Sequence, residues 1–260
     1  MAAKYDGFIF DLDGTIYLGD RLIPGADEAV RRTRDGGGRT VFISNKTIEG
    51  ISATAAKLNR LGIPVAESDV LNSSWALVRR LSELSPSARL YVIGERALTD
   101  DLRAAGFRIS NDERAVDWVV LSFDRTFHYG KLDFALRAVR CGARLCATNP
   151  DRTCPFEGRE LPDAAGMIGA VEAVTGAKVE FIAGKPSPLL VQEALRHIGC
   201  EPGRCIMVGD RIETDIVMGR AAGVATALVL SGVTTRAALE ASSVRPDYVL
   251  ESIAGLVELI

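Results

Sequence analysis

The chain has 260 residues, 47% of them apolar and 25% charged, and carries a formal net charge of −3. That is enough apolar chain to build one large core or two smaller ones. No block of Lys or Arg forms the concentrated positive face of a nucleic-acid reader, and no apolar run approaches the length of a membrane span.

From Met1 to Asp6 the chain passes almost at once into a strand, without the long apolar region of a secretory signal. The cysteines are Cys141, Cys146, Cys154, Cys200 and Cys205, an odd number with no CxxC spacing. That usage points to reduced thiols in a cytoplasmic protein rather than to a disulfide framework or a metal site.

The first informative stretch is Phe8-Ile9-Phe10-Asp11-Leu12-Asp13-Gly14-Thr15. An apolar run into two acids, broken by Gly-Thr, reads as a buried parallel strand that delivers Asp11 and Asp13 at its carboxyl end. In open α/β sheets ligands bind at that edge. Residues 17–23 read as a loop or small flap, and Pro24-Gly25 opens a helix that Gly36-Gly37-Gly38 ends. A second strand over 40–45 finishes on Ser44-Asn45, and helices follow over 52–61 and 73–84. The strand–helix–strand–helix order predicts a parallel sheet of βαβ units.

Ser85-Pro86-Ser87 interrupts this pattern and a second alternating series begins. It has strands over 89–94, 118–122 and 144–149, with helices over 95–105 and 129–140. Residues 151–162 are rich in turn formers and lack periodicity, which predicts a long, functional loop before a helix over 165–175. A strand over 179–183 leads to Gly184-Lys185-Pro186 and a helix reaching His197. The strand over 205–210 ends in Asp210, and Asp215 lies near the start of a helix over 213–222. Strands at 225–230 and 248–249 and a helix over 252–260 complete the chain.

Four predicted strand ends thus carry Asp11 with Asp13, Ser44 with Asn45, Lys185, and Asp210 with Asp215. In a parallel sheet such ends share one edge, so these residues can converge. Carboxylates hold a hard cation such as Mg²⁺ through oxygen. An ammonium and a hydroxyl–amide pair bind phosphate oxygens. A carboxylate can also attack phosphorus, provided that cationic groups offset its repulsion from the phosphate ester. Of Asp11 and Asp13, one would attack while the other donates a proton to the leaving oxygen and later takes one from water.

Asp11-Leu12-Asp13-Gly14-Thr15 resembles the first motif of the haloacid dehalogenase superfamily in the form typical of its phosphatases. Ser44-Asn45 is similar to the second motif, Gly184-Lys185-Pro186 to the third, and the run from Gly209-Asp210 to Thr214-Asp215 to the fourth. All four stand in the family's order. The resemblance implies a Rossmann-like, doubly wound parallel core over residues 1–81 and 182–260, with an α/β cap of the C2 type over residues 82–181. It also implies the NagD-like branch, closest to its sugar phosphatases, on Val92-Ile93-Gly94-Glu95, Ala147-Thr148-Asn149-Pro150-Asp151 and Ala165-Gly166-Met167-Ile168-Gly169-Ala170.

By that resemblance Asp11 is the nucleophile and a Mg²⁺ ligand, and Asp13 is the general acid/base with its backbone carbonyl on the metal. Ser44, Asn45 and Lys185 bind the phosphoryl group. Asp210 is a direct Mg²⁺ ligand and Asp215 lies behind it. Asn149 and Asp151, in the cap loop from Asn149 to Cys154, serve substrate binding and selection of the leaving group. The implied activity is Mg²⁺-dependent hydrolysis of small phosphate esters, sugar phosphates first, through an aspartyl-phosphate. Phosphoglycolate, glycerol phosphate and pyridoxal phosphate stand behind, the last disfavoured by Cys154, near where its phosphatases carry a substrate-contacting histidine. A phosphate-binding relative without hydrolysis is the reading from another class, but it would be expected to lose one of Asp11, Asp13, Lys185 or Asp210. The resemblance further suggests dimerisation through the cap and movement of the cap about hinges near residues 82–89 and 178–183.

Overall fold

A computed structural model describes residues 4–156 and 159–259. The expectations for Met1 to Ala3, the middle of the 151–162 stretch and the last residue of the chain lie outside the described residues. The chain divides into two compact units. The first holds residues 1–44, 51–71 and 185–260, and the second holds residues 45–50 and 72–184.

The first unit is built on a six-stranded sheet. Its spatial order is Tyr248–Leu250, Ala225–Val229, Cys205–Gly209, Gly7–Asp11, Arg39–Ser44 and Val70–Asn72. The pairings from Tyr248–Leu250 across to Arg39–Ser44 are parallel. All five residues of Gly7–Asp11 are buried, as a strand covered on both faces must be. Phe8, Phe10 and Phe42 stack along one face of the sheet and pack with Val30, Leu58, Ile206 and Val208. From the central strand the chain builds outward in one direction through Arg39–Ser44, and later in the other through Cys205–Gly209 and Ala225–Val229. The strand order therefore reverses between Gly7–Asp11 and Cys205–Gly209, and such a switch point opens a crevice at the carboxyl edge.

The second unit has a five-stranded parallel sheet ordered Val179–Ile182, Arg144–Ala147, Trp118–Leu121, Arg89–Ile93 and Arg108–Ile109. Helices Ser73–Leu84, Arg96–Ala104, Tyr129–Arg140 and Ala164–Thr175 accompany it. Its core gathers Ile93, Val119, Leu121, Phe134, Leu145 and Val171, with Tyr91 stacked on Phe134.

Several elements depart from the sequence reading. Residues 17–23 contain a small antiparallel pair, Tyr17–Leu18 with Arg21–Leu22. The stretch read as one long loop holds an antiparallel pair, Thr153–Phe156 with Arg159–Pro162; two prolines and several charges hide the alternation that marks a hairpin. The last element is a run of 3₁₀ turns over Ile253–Glu258 rather than an α-helix. It is short, with Gly255 inside it, and closes by i to i+3 bonds such as Gly255 N–H to Ser252 O at 3.1 Å. The helix expected over 213–222 is a wide π-helical turn, Ile212–Ile216, followed by a short α-helix, Val217–Ala221. Residues 72–81, read with the first unit, group with the second, where helix Ser73–Leu84 packs against Arg96–Ala104.

Candidate active site

Strand register decides which side chains reach the switch point. Asp11 pairs level with Ile43, and Phe10 with Val208. Ser44 is the last residue of its strand, one past Ile43, and Asp210 directly follows Gly209, so both lie at the same edge. The carboxylates of Asp11, Asp210 and Asp215 converge there, with ligand oxygens within 4.8 Å of one another.

Lys185 joins this cluster by a different route from the one its sequence suggests. The strand before it, Val179–Ile182, belongs to the sheet of the second unit, so Lys185 is not a strand end of the first. It stands instead in the turn before helix Leu189–Ile198. Its ammonium donates to Asp11 Oδ1 and, at 2.9 Å, to Asp215 Oδ1. Asp11, Lys185, Asp210 and Asp215 are 4%, 6%, 1% and 0% exposed, so water screens none of these charges.

Three buried carboxylates thus face one ammonium. Burial, followed by the charge of Asp215, pushes the Asp210 carboxyl up to about 6. Burial also raises Asp11 well above the ordinary carboxylate range; Lys185 opposes that rise, and Asp215 and Asp210 add to it. Lys185 is held protonated, because the pull of Asp11 and Asp215 outweighs the penalty of burial. An excess of buried negative charge built from hard oxygen donors favours a divalent cation with oxygen preference, so the donor set fits such an ion.

The acids are held from behind. The wide turn Ile212–Ile216 returns Asp215 so that its Oδ2 accepts the Arg211 N–H at 3.0 Å. A Cβ on Gly209 would overlap the Asp215 carboxylate, so only glycine fits the end of that strand. Asp210 Oδ2 accepts the Val233 N–H at 2.6 Å, and its backbone carbonyl accepts Thr234 N–H at 3.2 Å. Ser231 Oγ donates to Gly14 O at 2.8 Å. The loop over residues 231–234 therefore braces both Asp210 and the turn after Asp13, a role the sequence reading missed. The available signal was Ser231-Gly232 directly after a strand of the same sheet. Asp13 lies half-buried in that turn, where Gly14 N–H donates to Tyr17 O at 2.8 Å. Its carboxylate is not part of the three-acid cluster. The hydroxyls of Thr15 and Thr214, each next in sequence to this machinery, are buried without a hydrogen-bond partner.

Asn45, Asn149 and Asp151 meet in the second unit. Asp151 Oδ2 accepts from Asn45 Nδ2 at 2.8 Å and from Asn149 Nδ2 at 2.9 Å. Thr148 Oγ1 donates to Asn149 Oδ1 at 2.8 Å and lies 2.9 Å from Ser122 Oγ, which in turn lies 3.1 Å from Thr47 Oγ1. Cys154 is pushed up to about 11, chiefly by burial and then by Asp163, and is therefore a neutral thiol rather than a nucleophile. His128 caps helix Tyr129–Arg140, accepting the Gly130 N–H at 3.1 Å.

Comparison with known proteins identifies the class. Residues 8–108 match the family model for haloacid dehalogenase-like hydrolases, and residues 182–256 match a HAD-hydrolase-like model. The chain is 38% identical over 253 residues to the sugar-phosphatase AraL of Bacillus subtilis, covering 97% of this chain and 92% of that protein. Among solved structures, a p-nitrophenyl phosphatase from Archaeoglobus fulgidus superposes with a TM-score of 0.93 at 33% identity, covering 99% of this chain and 100% of the other. NagD from Escherichia coli K-12 superposes with a TM-score of 0.88 at 30% identity, covering 98% of each chain. The chain belongs to the haloacid dehalogenase-like hydrolases, in their NagD-like branch. It is a phosphatase. No helix among the described residues is long and apolar enough to cross a membrane.

Proposed function

We propose that the protein hydrolyses small phosphate monoesters, phosphorylated sugars first among them, with Mg²⁺ as cofactor and an aspartyl-phosphate on Asp11 as intermediate. The observation that carries this reading is the buried cluster in which Lys185 bridges Asp11 and Asp215 beside Asp210. The substrate class is supported by the similarity to the sugar-phosphatase AraL.

In this mechanism an Asp11 oxygen attacks phosphorus and the ester P–O bond breaks. Asp13 gives its proton to the departing alkoxide, then takes one from the water that cleaves the aspartyl-phosphate. Ser44 and Asn45 hold phosphoryl oxygens. Lys185 keeps Asp11 oriented and offsets the charge of the incoming phosphate. Asp11, Asp210 and the Asp13 carbonyl would hold Mg²⁺, with Asp215 behind them, and the ion would supply charge neutralisation at the phosphoryl oxygens. The loop that begins at Asn149 contributes leaving-group selection. The odd number of cysteines, without CxxC spacing, supports a reducing, cytoplasmic setting.

The test is turnover of p-nitrophenyl phosphate and of a panel of phosphorylated metabolites by the wild type and Asp11→Asn. Activity should require Mg²⁺, vanish in EDTA and fall by on the order of 10³-fold or more in the variant. Wild-type-like turnover by Asp11→Asn would refute the covalent route. A panel in which sugar phosphates rank low by kcat/KM would refute the substrate class alone.

A further inference from the structure

The resemblance assigns Asp151 to substrate binding, but its contacts point elsewhere. One oxygen, Oδ2, accepts from the side-chain amides of both Asn45 and Asn149, at 2.8 and 2.9 Å. A carboxylate can only accept, so it dictates which way each amide is turned: both must present nitrogen to it. For Asn149 the other end is fixed as well, since Thr148 Oγ1 donates to its Oδ1 at 2.8 Å. Asn149 is buried and Asn45 half-buried, so water does not readily replace these partners.

Asp151 itself stands on a firm base. Its carbonyl accepts Ala165 N–H at 3.0 Å, at the start of helix Ala164–Thr175. Next to it, Asp163 N–H donates to Arg152 O at 2.9 Å, and this contact closes the strand pair Thr153–Phe156 with Arg159–Pro162. Asn45 is confined on further sides. Its backbone carbonyl accepts from Ser73 Oγ at 2.8 Å. A Cβ on Gly184 would come within 2.7 Å of Ser73 Cβ and of Thr148 O, and would also collide with the Asn45 amide oxygen. The glycine of Gly184-Lys185-Pro186 thus leaves room for that amide.

We infer that Asp151 is a positioning residue: it fixes the Asn45 amide in the orientation in which that residue binds the phosphoryl group, and so ties phosphoryl binding to the base of the strand pair Thr153–Phe156 with Arg159–Pro162. This rests on the reading of Asn45 as a phosphoryl ligand. Two consequences separate it from a leaving-group contact. Loss of Asp151 should affect every ester alike, and it should weaken binding of inorganic phosphate, which has no leaving group.

The experiment compares wild type, Asn45→Ala, Asp151→Ala, Asp151→Asn and the double variant Asn45→Ala/Asp151→Ala. The readouts are the inhibition constant of inorganic phosphate and kcat/KM for p-nitrophenyl phosphate and a sugar phosphate. Asn45→Ala and Asp151→Ala should each raise the phosphate constant about tenfold and lower kcat/KM by roughly 10- to 100-fold for both esters. The double variant should be no worse than Asn45→Ala, because Asp151 acts through Asn45. Asp151→Asn keeps an acceptor oxygen and should recover most of the loss. If Asp151→Ala does not fold, Asp151→Asn replaces it: a rise of about threefold that disappears when combined with Asn45→Ala supports the inference. An unchanged phosphate constant in the Asp151 variants, beside a raised one in Asn45→Ala, overturns it. So does a loss confined to the sugar phosphate, or additive losses in the double variant. An unchanged constant in Asn45→Ala overturns instead the reading of Asn45 on which it rests.

Discussion

The cluster of acids makes Asp210→Asn the most revealing single change, because it should stabilise the metal-free protein while abolishing its activity. With no cation present, Asp210 is 1% exposed and its carboxyl is pushed from 3.8 to about 6 by burial and by Asp215. A carboxyl raised on folding lowers stability as pH climbs from its unfolded value through its folded one. Below 3.8 the penalty is absent; above about 6 it is complete. The gap corresponds to about 3 kcal/mol at neutral pH. An amide oxygen can still accept from Val233 N–H, but a neutral acceptor is weaker than a charged one by about 1 kcal/mol. The net gain is about 2 kcal/mol, or roughly 4–8 °C in Tm for a chain of this size. Relief of Asp11, which Asp210 also pushes up, acts in the same direction. The assay is calorimetry in EDTA from pH 4.5 to 8. The advantage should be largest near pH 7.5 and shrink steadily toward pH 4.5. Saturating Mg²⁺ should reverse the ranking, since a ligand at 100 times its Kd stabilises wild type alone by about 2.7 kcal/mol. A variant less stable than wild type at pH 7.5 in EDTA, or an advantage that does not shrink on acidification, would refute the reasoning.

Other changes probe neighbouring parts of the site. Asp13→Asn should cost about 10²- to 10⁴-fold with alkyl leaving groups and much less with p-nitrophenolate, which needs little protonation; equal losses across leaving groups would count against a general-acid role. Gly14→Ala places a Cβ 2.7 Å from Asp210 Cγ at a residue with φ of +85°. It should cost roughly 2–3 kcal/mol by denaturant titration and raise the Mg²⁺ concentration needed for half-maximal activity.

Much of this site is legible in the sequence because strands of a parallel sheet end at one edge. Apolar runs closed by acids, such as Phe8 to Asp11 and Ile206 to Asp210, announce themselves. Lys185 reads in the sequence as the end of a strand of the same sheet, and in the structure it is not one. The run Val179-Glu180-Phe181-Ile182 is a true strand, but strand propensity says nothing about which sheet a strand joins. The loop at 231–234 offers only the Ser231-Gly232 pair as a signal, because it holds Asp210 through the backbone N–H groups of Val233 and Thr234, which every residue but proline possesses. Asp151 stands out in the sequence as a polar residue in a functional stretch, but nothing in the sequence shows that both its amide partners share one oxygen. The strand Val70–Asn72 is three residues long, too short for its pattern to stand out.

The central strand of the first unit has a consequence for how the protein is made. Its neighbour Cys205–Gly209 pairs Gly7 with Cys205, so one partner leaves the ribosome nearly 200 residues after the other. Between them the whole second unit is synthesised, since residues 45–50 and 72–184 both lie in that interval. That unit is therefore the part able to complete its sheet first, while Phe8, Phe10 and Phe42 wait with one flank of their sheet unpaired. Closing so long a loop is slow, and an open edge of apolar strand attracts other chains in the meantime. The order of synthesis leaves the nascent chain most exposed to aggregation just before Asp210 arrives, and a product cut short before that residue has neither a closed sheet nor an acid cluster.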